Sequence, residues 1–344
     1  MKKIKIGLTG FGRIGRCISR LILSQPETFE LVVVNDIIDD LNSLTYMLKY
    51  DSMHGILEND VKVGEGGFCF DNHFIKAYSK NQIDLIPWHE HDIDIIIGCT
   101  GSLIDVKNAK NCIQGSVKKV VFSDSPEKVD FTFVFGCNEK SYKPKEHHII
   151  SASICDVVGL APVLKLIDEK YEIESGFLNT LHPILFYQNI LDGKSKTSAF
   201  PEKPWNTLVM GRSSLNALIP KDTSLIGALE KVIPTLKGKI SGMSYRVPTD
   251  VVSTGIANLI VKRKTNKAEV LKLISDNVIF PYLGITEEAL ISTDYKHNKY
   301  SSIVDLKWVE VRDETFLRII CWYDNEWGYS SRLVDILKYV YLTK

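Results

Sequence analysis

The chain has 344 residues, of which 44% are hydrophobic and 24% are charged, values typical of a globular protein and not of a disordered one. Its 42 lysines and arginines equal its 42 aspartates and glutamates. The chain therefore lacks the basic excess that is typical of nucleic-acid and membrane-surface binders. No apolar run reaches the roughly 18 residues of a membrane span. At about 150 residues per domain, the length predicts two domains.

Alternating short strands and helices are predicted over the first 150 residues. Ile- and Val-rich runs are typical of parallel strands buried on both faces, and apolar residues at helical spacing lie between them. Strands are predicted over 2–8, 31–35, 93–98 and 120–123, and helices over 13–24, 41–48 and 106–113. Repeated β-α-β units of this kind predict a Rossmann, doubly wound parallel sheet, which we expect to form a domain over 1–153.

Longer strands with alternating apolar and polar residues follow, as is typical of an antiparallel sheet with one face covered by helices. We expect an α+β catalytic domain over 154–322, with a mostly antiparallel sheet, and a C-terminal helix over 329–344 that packs back on the first domain. The stretch 192–212 has no periodicity and predicts a functional or mobile loop. Strands are predicted over 175–182, 240–247, 254–263, 304–311 and 315–323, and helices over 156–170, 267–280 and 329–341.

The cysteines and the N-terminus indicate the cellular setting. The seven cysteines are scattered and include no Cys-x-x-Cys pair. This distribution argues against a disulfide framework and against a zinc cluster, so we predict no metal. The N-terminal Met-Lys-Lys-Ile-Lys-Ile lacks the apolar region of a secretory signal, which favours a cytoplasmic protein.

A dinucleotide motif lies where the first predicted strand meets the first helix. Gly10, Gly12 and Gly15 form a G-x-G-x-x-G, which allows a tight turn, close approach to a pyrophosphate and tight helix packing. The helix N-terminus supplies N–H groups for the phosphates. Asp36 follows Gly15 by 21 residues, where an acidic side chain binds ribose hydroxyls and repels the 2′-phosphate of NADP. The motif therefore predicts NAD as the cofactor.

A candidate nucleophile lies where the predicted helix over 156–170 begins. Cys155 stands at a helix N-terminus, a position that lowers the pKa of a thiol. His182 follows 27 residues later, at the end of the next predicted strand. Such a pair suits acyl chemistry, in which the base takes the thiol proton and the thiolate attacks a carbonyl. A buried structural cysteine and a hydrogen-bonded core histidine would present the same residue types, so both interpretations stay open at this point.

Longer motifs resemble those of phosphorylating glyceraldehyde-3-phosphate dehydrogenases over nearly the whole chain. They are GFGRIGR at 10–16, VND at 34–36, YDSMHG at 50–55, PW at 87–88, CTG at 99–101, LAP at 160–162, QNILDG at 188–193, GMSYRVPT at 242–249, STD at 292–294 and WYDNEWGYS at 322–330. The resemblance implies a glycolytic, NAD-dependent oxidoreductase that forms a homotetramer. Its small-molecule substrates would be a phosphorylated aldehyde and phosphate.

The resemblance also implies roles for individual positions. Cys155 falls on the nucleophile and His182 on the general base. The aldehyde would form a thiohemiacetal on Cys155, hydride would pass to NAD, and phosphate would cleave the resulting thioester to an acyl phosphate. Besides the glycines and Asp36, the implied NAD positions are Arg13, Ile14, Thr100, Ser123 and Asn325, and the implied substrate positions are Ile154, Asp156, Leu185, Thr223, Ser224 and Arg246.

The substrate positions depart from the family pattern. Ile154 and Asp156 flank Cys155 where the family has Ser and Thr, and Leu185 replaces a threonine. A carboxylate beside the thiol raises the thiol pKa, and it repels a phosphate by about 4 kcal/mol at roughly 4 Å and an effective dielectric constant of about 20. The loop over 192–212 carries lysines that could supply other donors, namely Lys194, Lys196 and Lys203.

Three functions are therefore open to the sequence. The first is oxidation of glyceraldehyde 3-phosphate, and the second is the same chemistry on another aldehyde, such as erythrose 4-phosphate. The third is a catalytically impaired relative that keeps NAD binding. Retention of Cys155, His182 and Asn325 argues against the third function, while the lost hydroxyls beside Cys155 argue against the first.

Overall fold

The computed structural model describes residues 2–38, 40–193 and 208–343. The chain divides by its internal contacts into two compact units. The first unit comprises Met1–Phe133, Ser141–Ser153 and Ser330–Lys344, and the second comprises Val134–Lys140 and Ile154–Tyr329. Within the described ranges, none of the helices has both the length and the apolar character that crossing a membrane requires.

The first unit is built on a large sheet. Its elements in chain order are β1 (Ile4–Thr9), α1 (Arg13–Leu23), β2 (Phe29–Asn35), α2 (Leu41–Lys49), β3 (Tyr50–Asp51), β4 (Gly55–Ile56), β5 (Val61–Gly64), β6 (Gly67–Phe70), β7 (His73–Tyr78), β8 (Ile95–Gly98), α3 (Leu103–Asn108), β9 (Lys119–Phe122), β10 (Phe131–Thr132) and β11 (Ile149–Ser151). The described strands of the sheet follow the order β10-β11-β9-β8-β1-β2-β7-β6-β5, and β3 pairs only with β4. Only β6 pairs antiparallel in this order, with β5 and β7. The predicted doubly wound parallel sheet is confirmed.

The central strands of this sheet explain the continuous apolar runs in the sequence. Ile95, Ile96 and Ile97 of β8 are each at most 1% exposed, because both faces of the strand are covered. The helix predicted over 106–113 is wrong in its bounds. Ser102 starts α3 earlier by accepting a hydrogen bond from the backbone N–H of Asp105, and a 3-10 turn follows α3.

The second unit contains a separate mixed sheet. Its elements are α4 (Cys155–Tyr171), β12 (Ile173–His182), β13 (Ile219–Lys221), α5 (Leu225–Val232), β14 (Ile240–Arg246), β15 (Ser253–Val261), α6 (Lys267–Asp276), β16 (Leu283–Thr286), β17 (Ser302–Asp305), β18 (Glu310–Arg312) and β19 (Phe316–Tyr323). The described strands follow the order β13-β14-β12-β15-β19-β17-β16, and β18 pairs with β19. Only the β12–β14 and β16–β17 pairs in this described sheet are parallel, so the expected mostly antiparallel sheet is confirmed.

Helix α4 covers one face of this second sheet. A Cβ added at Gly159 of α4 would lie 2.6 Å from the ring of Tyr323, and one added at Gly255 of β15 would lie 2.7 Å from Leu160. These glycines let the helix approach the strands closely. On the opposite face the large side chains of Phe177, Ile260 and Phe316 are exposed.

Two predicted elements of the second unit are wrong in extent. The strand predicted over 304–311 is broken, because the Asp305 carboxylate accepts from the backbone N–H of Lys307 and starts a 3-10 turn between β17 and β18. The helix predicted over 267–280 ends at Asp276, because its C-cap Asn277 leaves the helical conformation with a φ of −114° and a ψ of 20°.

The last helix and the long loop complete the description. Helix α7 spans Trp327–Leu342, and within the first unit the ring of its Tyr339 lies 5.3 Å from that of Phe133. In the loop predicted over 192–212, Asp192 accepts from Arg212 Nε at 2.8 Å. The candidate donors Lys194, Lys196 and Lys203 lie outside the described residues.

Candidate active site

The start of α4 holds the candidate nucleophile. Cys155 is the first residue of the helix, and Ile154 is its N-cap in an extended conformation. No described side chain caps this end, so the partial positive charge of the helix N-terminus is available to groups beside Cys155. Ser153, just before the cap, has a φ of 60°, which is a strained conformation for a residue other than glycine and is typical of functional sites.

The side chains that meet this helix end come from neighbouring strands. His182 ends β12 directly opposite Arg246, which ends β14. Ser253 begins β15 directly opposite Tyr323, which ends β19. Residues directly opposite each other on paired strands point to the same face of a sheet, and Tyr323 packs against α4. The topology therefore brings four polar side chains to the face that carries Cys155.

Asp156 lies at the centre of this group and is only 4% exposed. Its Oδ1 atom contacts Nε2 of His182, a contact that is an ion pair when the imidazole is protonated, and it accepts a hydrogen bond from the Tyr323 hydroxyl at 2.9 Å. Cys155 Sγ also lies 3.8 Å from this oxygen. Burial by itself would raise the pKa of Asp156, but the His182 ion pair and the Tyr323 hydrogen bond hold that pKa below its usual value. Asp156 is therefore a buried carboxylate and not a carboxylic acid.

His182 has both ring nitrogens engaged. Nδ1 lies 2.9 Å from the Oγ atom of Ser253, while Nε2 faces the carboxylate of Asp156. One ligand atom each of Cys155, Asp156 and His182 lies within 4.8 Å of the other two. The three residues therefore form one cluster, in which the Asp156 carboxylate contacts both the thiol and the imidazole. The sequence predicted the cysteine and the histidine but not this shared contact.

The thiol of Cys155 is not activated in this arrangement. Burial raises its pKa well above the usual value, and the negative charge of Asp156 raises it further, while Arg246 acts in the opposite direction. The backbone N–H of Asp156 at the helix N-terminus lowers this pKa as expected, but burial and the carboxylate together outweigh that effect, so the net pKa is raised and not lowered. The expected effect of Asp156 on the thiol is confirmed in direction.

The implied substrate positions lie in the second unit at several levels of exposure. Thr223 Oγ1 accepts from the backbone N–H of Leu225 at 3.1 Å, and Ser224 is the exposed N-cap of α5. Leu185 is half-buried after β12. Arg246 donates from an Nη1 atom to the Pro183 carbonyl at 3.0 Å. Arg246 Nε is buried without a hydrogen-bond partner among the described residues, so this guanidinium has an N–H donor that is available to a ligand.

Three residues around this cluster, Tyr323, Ser253 and Lys221, were not predicted from the sequence. Tyr323 stood in the WYDNEWGYS motif without a role, and Ser253 carried no signal because serine is common at strand starts. Lys221 gave a weak signal, as a lysine in the short strand β13 two residues before Thr223. The strand register places Lys221 opposite Ser244, two residues from Arg246, and the charges of Lys221 and Asp156 influence each other.

The glycine motif of the first unit has the geometry that a dinucleotide needs. Gly10 has a φ of 90°, and a Cβ there would lie 2.6 Å from the carbonyl carbon of Cys99. A Cβ at Gly15 would lie 2.1 Å from the Gly10 oxygen, so helix α1 could not pack against β1 as it does. Apart from its own chain neighbours, no described residue lies within 4 Å of the place where a Cβ on Gly12 would be, which leaves space for a ligand.

Asp36 is placed at the end of β2 beside this turn. Its carboxylate accepts from the backbone N–H of Phe11 at 2.6 Å and from that of Ile38 at 3.1 Å. These bonds orient a half-exposed carboxylate next to the motif, as binding of ribose hydroxyls requires. Helix α1 begins with no described capping side chain, so its N-terminus suits the pyrophosphate.

The other implied NAD positions also suit a nucleotide. The Arg13 side chain is paired with Asp51 at 2.8 Å, and Ile14 follows it in the first turn of α1, so both residues offer backbone groups. Thr100 and Ser123 follow the carboxyl ends of β8 and β9, where ligands of such sheets bind. Within the second unit, the Oδ1 atom of Asn325 is buried and has no described hydrogen-bond partner, as an acceptor for the nicotinamide amide would be.

Comparison with known proteins agrees with this geometry. The family model for the glyceraldehyde 3-phosphate dehydrogenase NAD binding domain matches residues 4–106, and that for the C-terminal domain matches residues 154–325. The chain is 37% identical to a cytosolic glyceraldehyde-3-phosphate dehydrogenase of Dianthus caryophyllus over 100% of this chain and 99% of the relative. It is 37% identical to glyceraldehyde-3-phosphate dehydrogenase 3, cytosolic, of Zea mays over 100% of both chains, and 34% identical to a Bacteroides fragilis relative over 98% and 99%.

These matches confirm the resemblance drawn from the motifs and the prediction of NAD as the cofactor. They cover both units, and the relatives span the same length as this chain. The chain therefore belongs to the glyceraldehyde-3-phosphate dehydrogenase family and is an NAD-dependent phosphorylating dehydrogenase.

Proposed function

We propose that this chain oxidises glyceraldehyde 3-phosphate to an acyl phosphate through a thioester on Cys155. The observation that carries the proposal is the buried cluster of Cys155, Asp156 and His182 at the start of α4. In this proposal the domain over 1–153 binds NAD and the domain over 154–322 carries out the acyl chemistry. The matched relatives are named for this one activity, so neither another aldehyde nor loss of activity is favoured.

The first step is attack of the Cys155 sulfur on the aldehyde carbon. The Cys155 thiol donates to Asp156 Oδ1 at 3.8 Å, and the same oxygen contacts Nε2 of His182. The proton passes by way of this oxygen to Nε2, in the tautomer whose Nδ1 hydrogen is donated to Ser253 Oγ. Imidazolium and carboxylate then stabilise each other, and His182 returns the proton to the aldehyde oxygen.

Oxidation and phosphate attack complete the reaction. NAD, held by the glycine motif and Asp36, would supply the hydride acceptor for the thiohemiacetal. His182 takes the hydroxyl proton in this oxidation, and the product on Cys155 is a thioester. A phosphate oxygen then attacks the thioester carbon, and the bond to Sγ breaks to give the acyl phosphate and the free Cys155 side chain. Arg246, with a buried donor to spare, is suited to hold an anion during this step.

Two further proposals concern assembly and location. We propose a homotetramer, supported by the exposed apolar side chains of Phe177, Ile260 and Phe316 on the outer face of the second sheet. Analytical ultracentrifugation tests the proposed tetramer, because a mass of one chain would contradict it.

We also propose a cytoplasmic location, supported by the cytosolic relatives from Dianthus caryophyllus and Zea mays.

Trapping the acyl enzyme tests the proposed reaction. The protein is mixed with glyceraldehyde 3-phosphate and NAD without phosphate, quenched in acid and analysed by peptide mass spectrometry. The acyl adduct is expected on the peptide that contains Cys155, and added phosphate should discharge it. Cys155→Ser should abolish the adduct, while Cys137→Ser, which replaces another half-buried cysteine of the same unit, should retain it. An adduct elsewhere, or none, would contradict the proposal.

A further inference from the structure

Lys221 lies on the same face of the second sheet as the active-site cluster. It is directly opposite Ser244 on β14, and Ser244 is directly opposite Thr180 on β12. The hydroxyls of Ser244 and Thr180 are 2.5 Å apart, so these side chains share a face. Two residues further along the same strands stand Arg246 and His182. Because side chains alternate along a strand, Lys221 points to the face that holds both.

The two cationic side chains on this face, Lys221 and Arg246, have no ion-pair partner among the described residues. Lys221 and Arg246 are both half-buried, and among the residues that the structure describes Lys221 has no hydrogen-bond or ion-pair partner. Arg246 keeps a buried Nε donor without a described partner. The carboxylate of the cluster, Asp156, contacts Nε2 of His182 and the Tyr323 hydroxyl rather than either cation. Two cations without a described ion-pair partner therefore lie near Cys155.

The pKa values agree with an excess of positive charge. Burial and the neighbouring Arg246 lower the pKa of Lys221 to about 8, although Asp156, Cys155 and Asp222 act in the opposite direction. At pH 7 Lys221 is still mostly protonated. Two like charges in a partly desolvated position are costly unless an anion joins them, so the pair is poised to take one up.

We propose that Lys221 and Arg246 together form a two-cation site for a phosphate group next to Cys155, and that Lys221 determines how well this group binds. The inference rests on the proposed function. The phosphate group has two chemical sources, the inorganic phosphate that attacks the thioester and the phosphate ester of the aldehyde. The ammonium group of Lys221 compensates for the hydrogen-bond donors that are missing at Ile154 and Leu185. Its positive charge also offsets the repulsion between the anion and Asp156.

The variant Lys221→Met distinguishes these sources. If Lys221 holds inorganic phosphate, the KM for phosphate rises by about ten- to a hundredfold while the first-turnover burst of NADH is unchanged. If it holds the ester, the concentration of glyceraldehyde 3-phosphate that gives half of the burst rises by a similar factor instead. Lys221→Arg should restore most of the lost binding. Lys237→Met removes an exposed lysine that precedes β14 at the end opposite Arg246, and it should change neither quantity.

A second measurement does not depend on turnover. Inorganic phosphate should slow the alkylation of Cys155 by iodoacetamide in the unmodified protein, and Lys221→Met should need a higher phosphate concentration for the same protection. If Lys221→Met changes neither kinetic quantity nor the protection, the inference is overturned. If the unmodified protein shows no NADH burst but phosphate still protects Cys155 in a Lys221-dependent way, the proposed reaction fails while the anion site stands.

Discussion

Replacing Asp156 by asparagine should release the thiol of Cys155 from electrostatic suppression. The substitution keeps the size of the side chain and an oxygen that can accept from Tyr323, but it removes the negative charge that now lies 3.8 Å from Sγ. Asp156 is one of the groups that raise the thiol pKa, second to burial. The Asp156→Asn thiol should therefore ionise at a lower pH.

The size of this shift follows from the geometry. At an effective dielectric constant of about 20, a unit charge at 3.8 Å from the sulfur costs a thiolate about 4 kcal/mol, which corresponds to about three pKa units. The contact of this carboxylate with His182 and its hydrogen bond from Tyr323 reduce its effect on the sulfur. We therefore expect the pKa of Cys155 to fall by about one to two units, and below that pKa the alkylation rate at a fixed pH to rise by about ten- to a hundredfold.

The assay is the pH dependence of iodoacetamide labelling, measured on the peptide that contains Cys155. Asp276→Asn removes an exposed carboxylate paired with Lys272 on α6 and should leave the profile unchanged. The electrostatic account is refuted if Asp156→Asn leaves the labelling profile of Cys155 where it was or moves it to higher pH.

Three further predictions follow from single contacts. Asp36→Ala should weaken NAD binding and reduce the preference for NAD over NADP, because the carboxylate that repels a 2′-phosphate is lost; titration with both cofactors checks it, and an unchanged preference would contradict it. Tyr323→Phe should lower the free energy of unfolding by about 1.5–3 kcal/mol, since a buried hydrogen bond to the Asp156 carboxylate is lost. Because the pKa of Asp156 is lowered in the fold, this difference should persist above about pH 4 and shrink as the pH falls through that lowered pKa. Ser253→Ala should reduce kcat by about tenfold with little change in KM, because His182 loses the partner that fixes its tautomer; an equal loss at every pH with KM raised would instead indicate a structural defect.

The NAD-binding half could be predicted from the sequence because its signals are local. The backbone geometry requires glycine at three positions, Gly10, Gly12 and Gly15, and a few neighbouring residues are enough to infer this. Asp36 follows at a spacing set by one β-α-β unit. Buried parallel strands such as β8 are also visible as continuous apolar runs. Element ends were less predictable, because a single capping carboxylate such as that of Asp305 can break a strand.

The active-site cluster could be predicted only in part. Cys155 and His182 were found from their types and from the resemblance, yet the position of Asp156 depends on how α4 lies against β12 and β19. Ser253 and Tyr323 reach His182 and Asp156 through pairings between strands that are far apart in the chain. Such pairings cannot be inferred from the spacing of residues in the sequence. The same limit hid Lys221, which is close to the cluster only through the β13–β14–β12 register.

Rapid mixing of the protein with NAD and glyceraldehyde 3-phosphate tests the central claim most directly. Without phosphate, we expect a burst of about one NADH per chain and then little further formation, because the thioester on Cys155 cannot be discharged; added phosphate should start continuous turnover. Cys155→Ala should remove both phases. A steady rate of NADH formation that needs no phosphate, or a burst that survives in Cys155→Ala, would contradict a phosphorylating mechanism through Cys155.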